Sequence, residues 1–279
     1  MFFTFGGGFV TGLHGAHAVI TGGSSGIGLA TAAALAARGA SVSLVARDES
    51  RLRKASVSLK SRGASVRTAV ADVSSQAEVE QAFSELEASA GPCDVLVTCA
   101  GQARPGEFLE LDDEVFRRMV EVDYFGTLHA VRAVAPSMVR RRSGSIVAIS
   151  SAAAVLGIYG YTAYAPAKFA VRGLMEALRD ELNPAGVHVA CVYPPDVDTP
   201  QLAEENRWKP AETAAISGTI RPMAAEAVAS AIVRAVERER YAVYPDRSVA
   251  LLAALGPLAA PFLRRMVDRR VRHARRARA

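Results

Sequence analysis

The feature that most constrains the fold is a regular alternation of short apolar runs with alanine-rich stretches. The apolar, β-branched runs lie at 17–21, 41–46, 65–71, 94–100, 145–150 and 187–193, with a weaker one at 241–244. Helical patterns lie between them, near 26–38, 49–62, 75–89, 112–140, 162–183 and 224–239. Continuous apolar strands separated by helices are typical of a parallel sheet covered on both faces. The pattern therefore predicts an α/β protein with a doubly wound parallel sheet.

The length and composition fit one such domain. The chain has 279 residues, half of them apolar, which suffices for a sizeable core. We expect an N-terminal extension over 1–14, the α/β domain over 15–245 and a separate C-terminal segment over 246–279. The three cysteines are scattered without metal-ligand or disulfide spacing, so we expect a reducing compartment and no metal. No lysine or arginine precedes Arg38, so we expect no secretory signal.

The first predicted strand leads directly into a glycine-rich turn, "TGGSSGIG" at 21–28, and then into a helix. Glycines at 22 and 26 allow backbone conformations that a Cβ would block, and the glycine at 28 lets the helix pack close to the sheet. Free N–H groups and the positive end of the helix dipole favour a pyrophosphate there. Because the turn joins a strand to a helix, we favour a Rossmann-type dinucleotide site over a plain connection. Its predicted contacts are Gly22, Ser24, Ser25, Gly26, Ile27 and Gly28.

The end of the second strand, "LVARDESR", indicates which dinucleotide is bound. A cofactor without a 2′-phosphate usually meets an acid about 20 residues past the glycines. This chain places Arg47 first, where a guanidinium can stack on adenine and pair with a 2′-phosphate. Arg51 adds a second charge, although a solvated helix face explains it equally well. The pattern predicts NADPH, with further contacts at the ends of the third and fourth strands from Asp72, Val73, Ala100 and Gly101.

The stretch "YTAYAPAK", 161–168, predicts a reactive phenol. A tyrosine has a pKa of about 10, and Lys168 lies four residues after Tyr164 on the same helical face. Its ammonium is expected to lower the pKa of Tyr164 toward the working pH. Pro166 is tolerated only in the first helical turn, which places Tyr164 at the helix entrance. Tyr159 and Tyr161 have no lysine four residues on, so we expect them to pack or to form pocket walls.

Together these motifs resemble the short-chain dehydrogenase/reductase family. The resemblance covers about 15–245 and rests on "TGGSSGIG", "CAG" at 99–101, the Tyr164-x-x-x-Lys168 spacing and Ser151, thirteen residues before the tyrosine. It implies that Tyr164 donates the proton, that Lys168 tunes it and contacts the nicotinamide ribose, and that Ser151 positions the ketone. It also implies that Asp123 is a fourth catalytic residue, where the family has an asparagine that holds the lysine through a water.

The resemblance extends to the loop "YPPDVDTP", 193–200. In the family the matching loop contacts the nicotinamide, which implies contacts from Pro194, Val197 and Thr199. The chain departs from the family here because Pro195 replaces a glycine, which stiffens the loop.

The next segment, "TPQLAEENRWKPAETAAIS", resembles the 3-ketodihydrosphingosine reductases through "AEEN", "KP", "ET" and "IS" at the same spacing. This implies NADPH-dependent reduction of the 3-keto group of 3-ketodihydrosphingosine, a long-chain lipid ketone of sphingolipid biosynthesis, to dihydrosphingosine. The substrate amine then has Glu204, Glu205 or Asp196 as partners, with a solvated lid helix as an equal alternative. Two alternatives stay open: a reductase of another lipid ketone (a 3-oxoacyl thioester or a sterol), and a catalytically silent NADPH-binding regulator.

The C-terminal segment carries the positive charge of the chain. Residues 264–279 hold eight arginines and one acid, whereas the chain as a whole has a net charge of +5. The apolar run at 249–263 contains Gly256 and Pro257 and is too short to span a bilayer. An apolar segment followed by arginines indicates attachment to the cytoplasmic face of a membrane. The alternatives are a helix docked on a neighbouring subunit of a homo-oligomer and a nucleic-acid contact, and we expect no nucleic-acid partner.

Overall fold

The computed structural model describes residues 12–217 and 221–276. Its centre is a parallel sheet of seven strands in the order β3-β2-β1-β4-β5-β6-β9. The strands are β1 (His17–Thr21), β2 (Ser41–Ala46), β3 (Val66–Val70), β4 (Val95–Thr98), β5 (Ser145–Ile149), β6 (His188–Val192) and β9 (Ala242–Val243). A two-stranded parallel ribbon pairs β7 (Val197–Asp198) with β8 (Met223–Ala224). The strand order reverses between β1 and β4, which opens a crevice at their carboxyl ends.

Helices cover both faces of the sheet. They are α1 (Gly26–Ala36), α2 (Glu49–Lys60), α3 (Gln76–Ala90), α4 (Asp113–Met119), α5 (Gly126–Arg141), α6 (Tyr164–Leu182), α7 (Pro200–Glu205), α8 (Ala211–Ser217), α9 (Ala225–Glu237) and α10 (Arg247–Arg276). One core packs α1, α2 and α9 on the sheet, and a second packs α3, α5 and α6 on the other face. Val19 and Ile20 are neighbours in β1 but belong to different cores, because successive strand side chains point to opposite faces. This explains why the strands read as continuous apolar runs.

The predicted strands and helices of the sheet domain are confirmed, with one refinement. The helix expected over 112–140 is continuous but changes pitch, because a π-helix over Val120–Phe125 joins α4 to α5. A π-bulge inside an α-helix is frequent at functional sites. This one carries Asp123.

The C-terminal segment forms helix α10, which packs against α8 of the same chain. Its parts 247–256 and 259–276 meet at an angle of 118°. Within the described residues no single helix is long and apolar enough to cross a membrane. The two parts of α10 taken together have the length and composition of a bent membrane span. The arginine end is not simply solvated, because Arg270 donates to the Ile216 carbonyl oxygen at 2.8 Å and Arg275 to the Tyr159 hydroxyl at 3.0 Å. Most of the N-terminal extension expected over 1–14 lies outside the described residues.

Candidate active site

A cleft of about 770 Å³ opens at the carboxyl ends of the strands, where the strand order reverses. It runs from the glycine turn past the start of α6 to the segment that holds α7 and α8. Every residue predicted to contact the cofactor lines this cleft: Gly22, Ser24, Ser25, Gly26, Ile27, Gly28, Arg47, Arg51, Asp72, Val73, Ala100, Gly101, Tyr164, Lys168, Pro194, Val197 and Thr199. Ser151 also lines it, whereas Asp123 does not. The fold therefore brings the motifs of the sequence into one place.

The glycine turn has the shape of a phosphate cradle. Gly22 has a φ of +66°, and a Cβ there would lie 2.7 Å from the backbone nitrogen of Ala100. The turn is held to the end of β4 because the Thr21 hydroxyl oxygen accepts from the backbone N–H groups of Cys99 and Ala100, each at 3.2 Å. Ser25 precedes α1 without a side-chain cap, so the first N–H groups of the helix remain available. These features fit a dinucleotide pyrophosphate.

The adenosine end of the cleft is lined by charged side chains. Arg47 lies 3.5 Å from Asp72 and Arg51 lies 3.3 Å from Asp48, and both arginine side chains are more than half exposed. The Asp72 carboxylate also accepts from Arg118 at 3.1 Å. Burial opposes ionisation of Asp72, but hydrogen bonds from Ser74 and the Arg118 guanidinium lower its pKa to about 2. Asp72 is therefore a fixed anion, and the two exposed arginines can take a phosphate.

Tyr164 is the first residue of α6, which confirms that Pro166 lies in the first helical turn. Ser151 follows β5, and its hydroxyl oxygen accepts from the Ala153 N–H at 3.1 Å. That bond uses the oxygen of Ser151 as an acceptor and leaves its O–H free to donate. Tyr164 is buried, and the Ser151 hydroxyl is near enough to lower the pKa of the Tyr164 hydroxyl. The two hydroxyl groups predicted to act on a ketone are therefore adjacent.

Lys168 is held by a buried ion pair. Its Nζ lies 3.0 Å from Oδ1 of Asp123 and donates to the Ile149 carbonyl oxygen at 3.1 Å. Burial alone would lower the pKa of Lys168, but the Asp123 carboxylate raises it above its ordinary value. Burial raises the pKa of Asp123 and the Lys168 ammonium lowers it. At this distance we assign the ion-pair form, with the proton on Lys168.

The direct contact between Asp123 and Lys168 depends on Gly101. A Cβ at Gly101 would lie 2.6 Å from Oδ1 of Asp123 and 3.3 Å from Nζ of Lys168. The family's asparagine holds its lysine through a water, as the resemblance implies, whereas this chain places a carboxylate against the ammonium. Asp123 therefore contacts Lys168 from outside the cleft.

The expectation that the pKa of Tyr164 would fall toward the working pH is wrong, although the Lys168 ammonium does act to lower it. Burial is the largest influence on Tyr164 and raises the pKa of its hydroxyl to about 12. The Lys168 ammonium and the Ser151 hydroxyl lower it, but the Asp123 and Glu205 carboxylates add to the rise. The hydroxyl is therefore protonated at neutral pH, which is the form that a proton donor needs.

The substrate end of the cleft contains side-chain pairs that the sequence did not reveal. The Tyr161 hydroxyl donates to Oε2 of Glu205 at 3.1 Å, which makes Tyr161 the pocket wall that was expected. Lys209 pairs with Asp196 at 3.0 Å. The Arg104 guanidinium stacks on the Trp208 ring at 3.5 Å. These pairs join residues far apart in the chain, so no local pattern could have identified them.

Comparisons with known proteins agree with this geometry. Residues 16–210 match the short chain dehydrogenase family. A 3-dehydrosphinganine reductase of Danio rerio is 43% identical over 227 residues, which are 80% of this chain and 68% of the relative. A 3-ketodihydrosphingosine reductase of Dictyostelium discoideum is 37% identical over 268 residues, which are 90% of this chain and 80% of the relative.

Solved structures share the fold as well. A short chain dehydrogenase/reductase from Burkholderia phymatum in complex with NAD superposes with a TM-score of 0.80 at 26% identity, covering 90% of this chain and 96% of its own. A short-chain dehydrogenase from Sphingobium yanoikuyae in complex with NADPH has a TM-score of 0.76 at 27% identity, covering 91% and 95%. The family match, the sheet order and the cleft agree, and this chain belongs to the short-chain dehydrogenase/reductase family.

Proposed function

We propose that this enzyme uses NADPH to reduce the 3-keto group of 3-ketodihydrosphingosine to dihydrosphingosine. The observation that carries the proposal is the identity of 37–44% to reductases of this name, which extends over most of the chain. The match to the Dictyostelium discoideum reductase covers 90% of this chain, and side chains of 200–217 line the substrate end of the cleft. Arg47 and Arg51 at the adenosine end support NADPH over NADH, because a 2′-phosphate gives their guanidinium groups a partner.

The residues of the chain divide the reaction between them. When bound, NADPH supplies the hydride that the ketone carbon gains. Tyr164 holds the proton that the ketone oxygen receives, and its raised pKa keeps that proton in place until the oxygen becomes basic. Ser151 has its O–H free to orient the same oxygen. The ketone thus gains a hydride at carbon and a proton at oxygen, which balances the reduction to a secondary alcohol.

Lys168 has the donors to connect the proton donor with the cofactor ribose. An ammonium has three N–H groups, and Asp123 and the Ile149 carbonyl oxygen take two of them. The third is free for a ribose hydroxyl. Asp123 is a positioning residue in this scheme, because it touches Lys168 and not the cleft.

The test is NADPH oxidation by the purified protein in detergent. We expect turnover with 3-ketodihydrosphingosine and much slower turnover with a 3-oxoacyl thioester or a keto-sterol at the same concentration. Faster turnover of either competitor would assign the enzyme to that ketone instead. No turnover of any ketone, despite measurable NADPH binding, would favour the catalytically silent regulator.

We also propose that α10 attaches the enzyme to the cytoplasmic face of a membrane. Leu251, Leu255 and Phe262 are exposed apolar side chains on this helix, and arginines follow them. Apolar side chains beside basic ones favour an anionic interface. We expect the protein to sediment with phosphatidylserine-containing vesicles and a triple serine variant at these three positions to stay in solution. Val57→Ser, which removes an equally exposed side chain from α2, is the matched control. Equal sedimentation of the triple variant and this control would contradict the proposal.

A further inference from the structure

Glu205 is a buried carboxylate at the substrate end of the cleft. It is the last residue of α7 and is only 8% exposed. Its two oxygens accept hydrogen bonds from the Tyr161 hydroxyl and the Gln201 amide, each at 3.1 Å. Neither partner is charged, and across residues 12–217 and 221–276 it forms no ion pair. Glutamate is rarely buried to this extent without an ion pair, so a cation that reached this carboxylate would stabilise its charged form.

The position of Glu205 is fixed relative to the reacting groups. The Tyr161 ring, whose hydroxyl holds Glu205, lies 5.8 Å from the Tyr164 ring between centroids. The other end of α7 is capped by Thr199, which lies against Gly26 of the glycine turn. Six residues of helix span about 9 Å, so α7 leads from the cofactor loop to the side of the proton donor. The Glu205 charge acts on Tyr164 directly enough to raise the pKa of its hydroxyl.

The other acids at this end of the cleft already have cations. Asp196 pairs with Lys209 at 3.0 Å. Glu204 is on the exposed side of the segment, where it accepts from Arg207 at 2.9 Å and from the Trp208 indole at 3.0 Å. The Lys209 ammonium is close enough to Glu205 to lower the pKa of its carboxyl, but Lys209 is paired with Asp196. Of the three acids that the sequence offered for the substrate amine, Glu205 is therefore the one that lines the cleft without an ion pair among the described residues.

We propose that Glu205, held by Tyr161, binds the ammonium of the substrate and makes the enzyme selective for 2-amino ketones over neutral ketones. The inference rests on the proposed function. The ammonium nitrogen of such a substrate is two bonds, each about 1.5 Å, from the ketone carbon, so a ketone at Tyr164 places the ammonium beside it. Burial raises the pKa of Glu205, and an arriving cation offsets that effect because it stabilises the ionised form.

A neutral ketone lacks this compensation. It would leave the buried carboxylate without an ion-pair partner, and it would forgo a charge-assisted hydrogen bond. A bond of that kind corresponds to a selectivity of about 10- to 100-fold. Selectivity would thus come from one buried charge, while the alkyl chain contributes equally to both ketones.

The experiment compares 3-ketodihydrosphingosine with its desamino analogue of the same chain length. We expect the wild type to prefer the amino ketone by about 10- to 100-fold in kcat/KM, mainly through KM. Glu205→Gln should lose that preference, with kcat/KM falling far more for the amino ketone than for the desamino ketone, because the amide preserves the shape and removes the charge. Glu204→Gln, one residue away and already paired with Arg207, should keep the wild-type preference.

Three results would overturn the inference. Equal kcat/KM of the wild type for the two ketones would exclude ammonium binding and leave the proposed function intact. An equal loss of kcat/KM for both ketones in Glu205→Gln would mean that Glu205 only holds Tyr161 in position and does not bind the ammonium. Reduction of the desamino ketone alone would contradict both the inference and the proposed function. If Glu205→Gln does not fold, the comparison of the two ketones with the wild type and with Tyr161→Phe still tests the inference. Loss of the Tyr161 donor should weaken the preference for the amino ketone without removing the Glu205 charge.

Discussion

The two halves of the cleft place their charges in opposite environments. At the adenosine end the side chains of Arg47 and Arg51 are 58% and 65% exposed. At the catalytic end Lys168, Asp123 and Glu205 are all buried. Water screens exposed charges and weakens each pair, whereas a buried charge is costly once its partner is removed. A single substitution should therefore have a large effect at the catalytic end and a small one at the adenosine end.

The most severe test of this comparison is removal of the reactive hydroxyl. We expect Tyr164→Phe to reduce kcat by a factor of about 10² to 10⁴, because a positioned general acid contributes that much. NADPH binding, measured by the change in its fluorescence, should stay near the wild-type value. Tyr124→Phe, on the π-helix outside the cleft, is the control. Wild-type turnover in Tyr164→Phe would mean that another group delivers the proton.

The next largest effect is expected at the buried ion pair. Asp123→Ala leaves the Lys168 ammonium buried beside an empty space and should lower the free energy of unfolding by about 3–5 kcal/mol. The matched control is Asp180→Ala, which breaks the exposed pair with Arg179 and should change stability little. Urea unfolding of both variants measures the difference. Equal stability of the two variants would contradict the contrast between buried and exposed charge.

The pH dependence of the wild type sharpens the comparison at the catalytic end. The pKa of Tyr164 is raised to about 12, so the hydroxyl keeps its proton throughout the neutral range. Ketone reduction needs the protonated form and should not lose rate to Tyr164 ionisation between roughly pH 6 and 9. Alcohol oxidation needs the phenolate, whose fraction rises about tenfold per pH unit below the pKa. Initial rates in both directions measure this, and a reduction rate that falls in that range as Tyr164 ionises would contradict the raised pKa.

Local sequence patterns were sufficient to predict the strands and helices of the sheet domain and the glycine turn. The strands, the glycine turn and the start of α6 depend on residues adjacent in the chain, such as Pro166 in the first turn. The contacts between distant residues were not predictable in this way. Asp123 against Lys168, Asp72 against Arg118 and Tyr161 against Glu205 each join different elements. Their partners become evident only when the sheet has brought the elements together.

The pKa of Tyr164 shows the physical reason most clearly. The spacing to Lys168 correctly identified a charge that lowers the pKa. It contained no information on burial, which depends on the packing of the whole cleft, or on Asp123, which neutralises that charge from another helix. The local pattern therefore predicted one contribution to the pKa of Tyr164 correctly, but it gave the wrong direction for the net shift.

The smallest expected effect is at the adenosine end. Arg47→Ala should raise KM for NADPH by roughly fivefold, because an exposed charge contributes about 1 kcal/mol and Arg51 remains nearby. KM for NADH should rise less, since that cofactor has no 2′-phosphate and offers Arg47 only its adenine. Arg53→Ala is the control, because Arg53 is exposed on α2, the helix that follows Arg47, pairs with Glu49 and does not line the cleft. Initial rates measured over a range of NADPH and NADH concentrations give the two KM values. An equal rise of KM for NADPH and NADH would mean that Arg47 contacts the adenine alone. A loss of activity as large as that of Tyr164→Phe would show that the adenosine end depends on one charge as strongly as the catalytic end does.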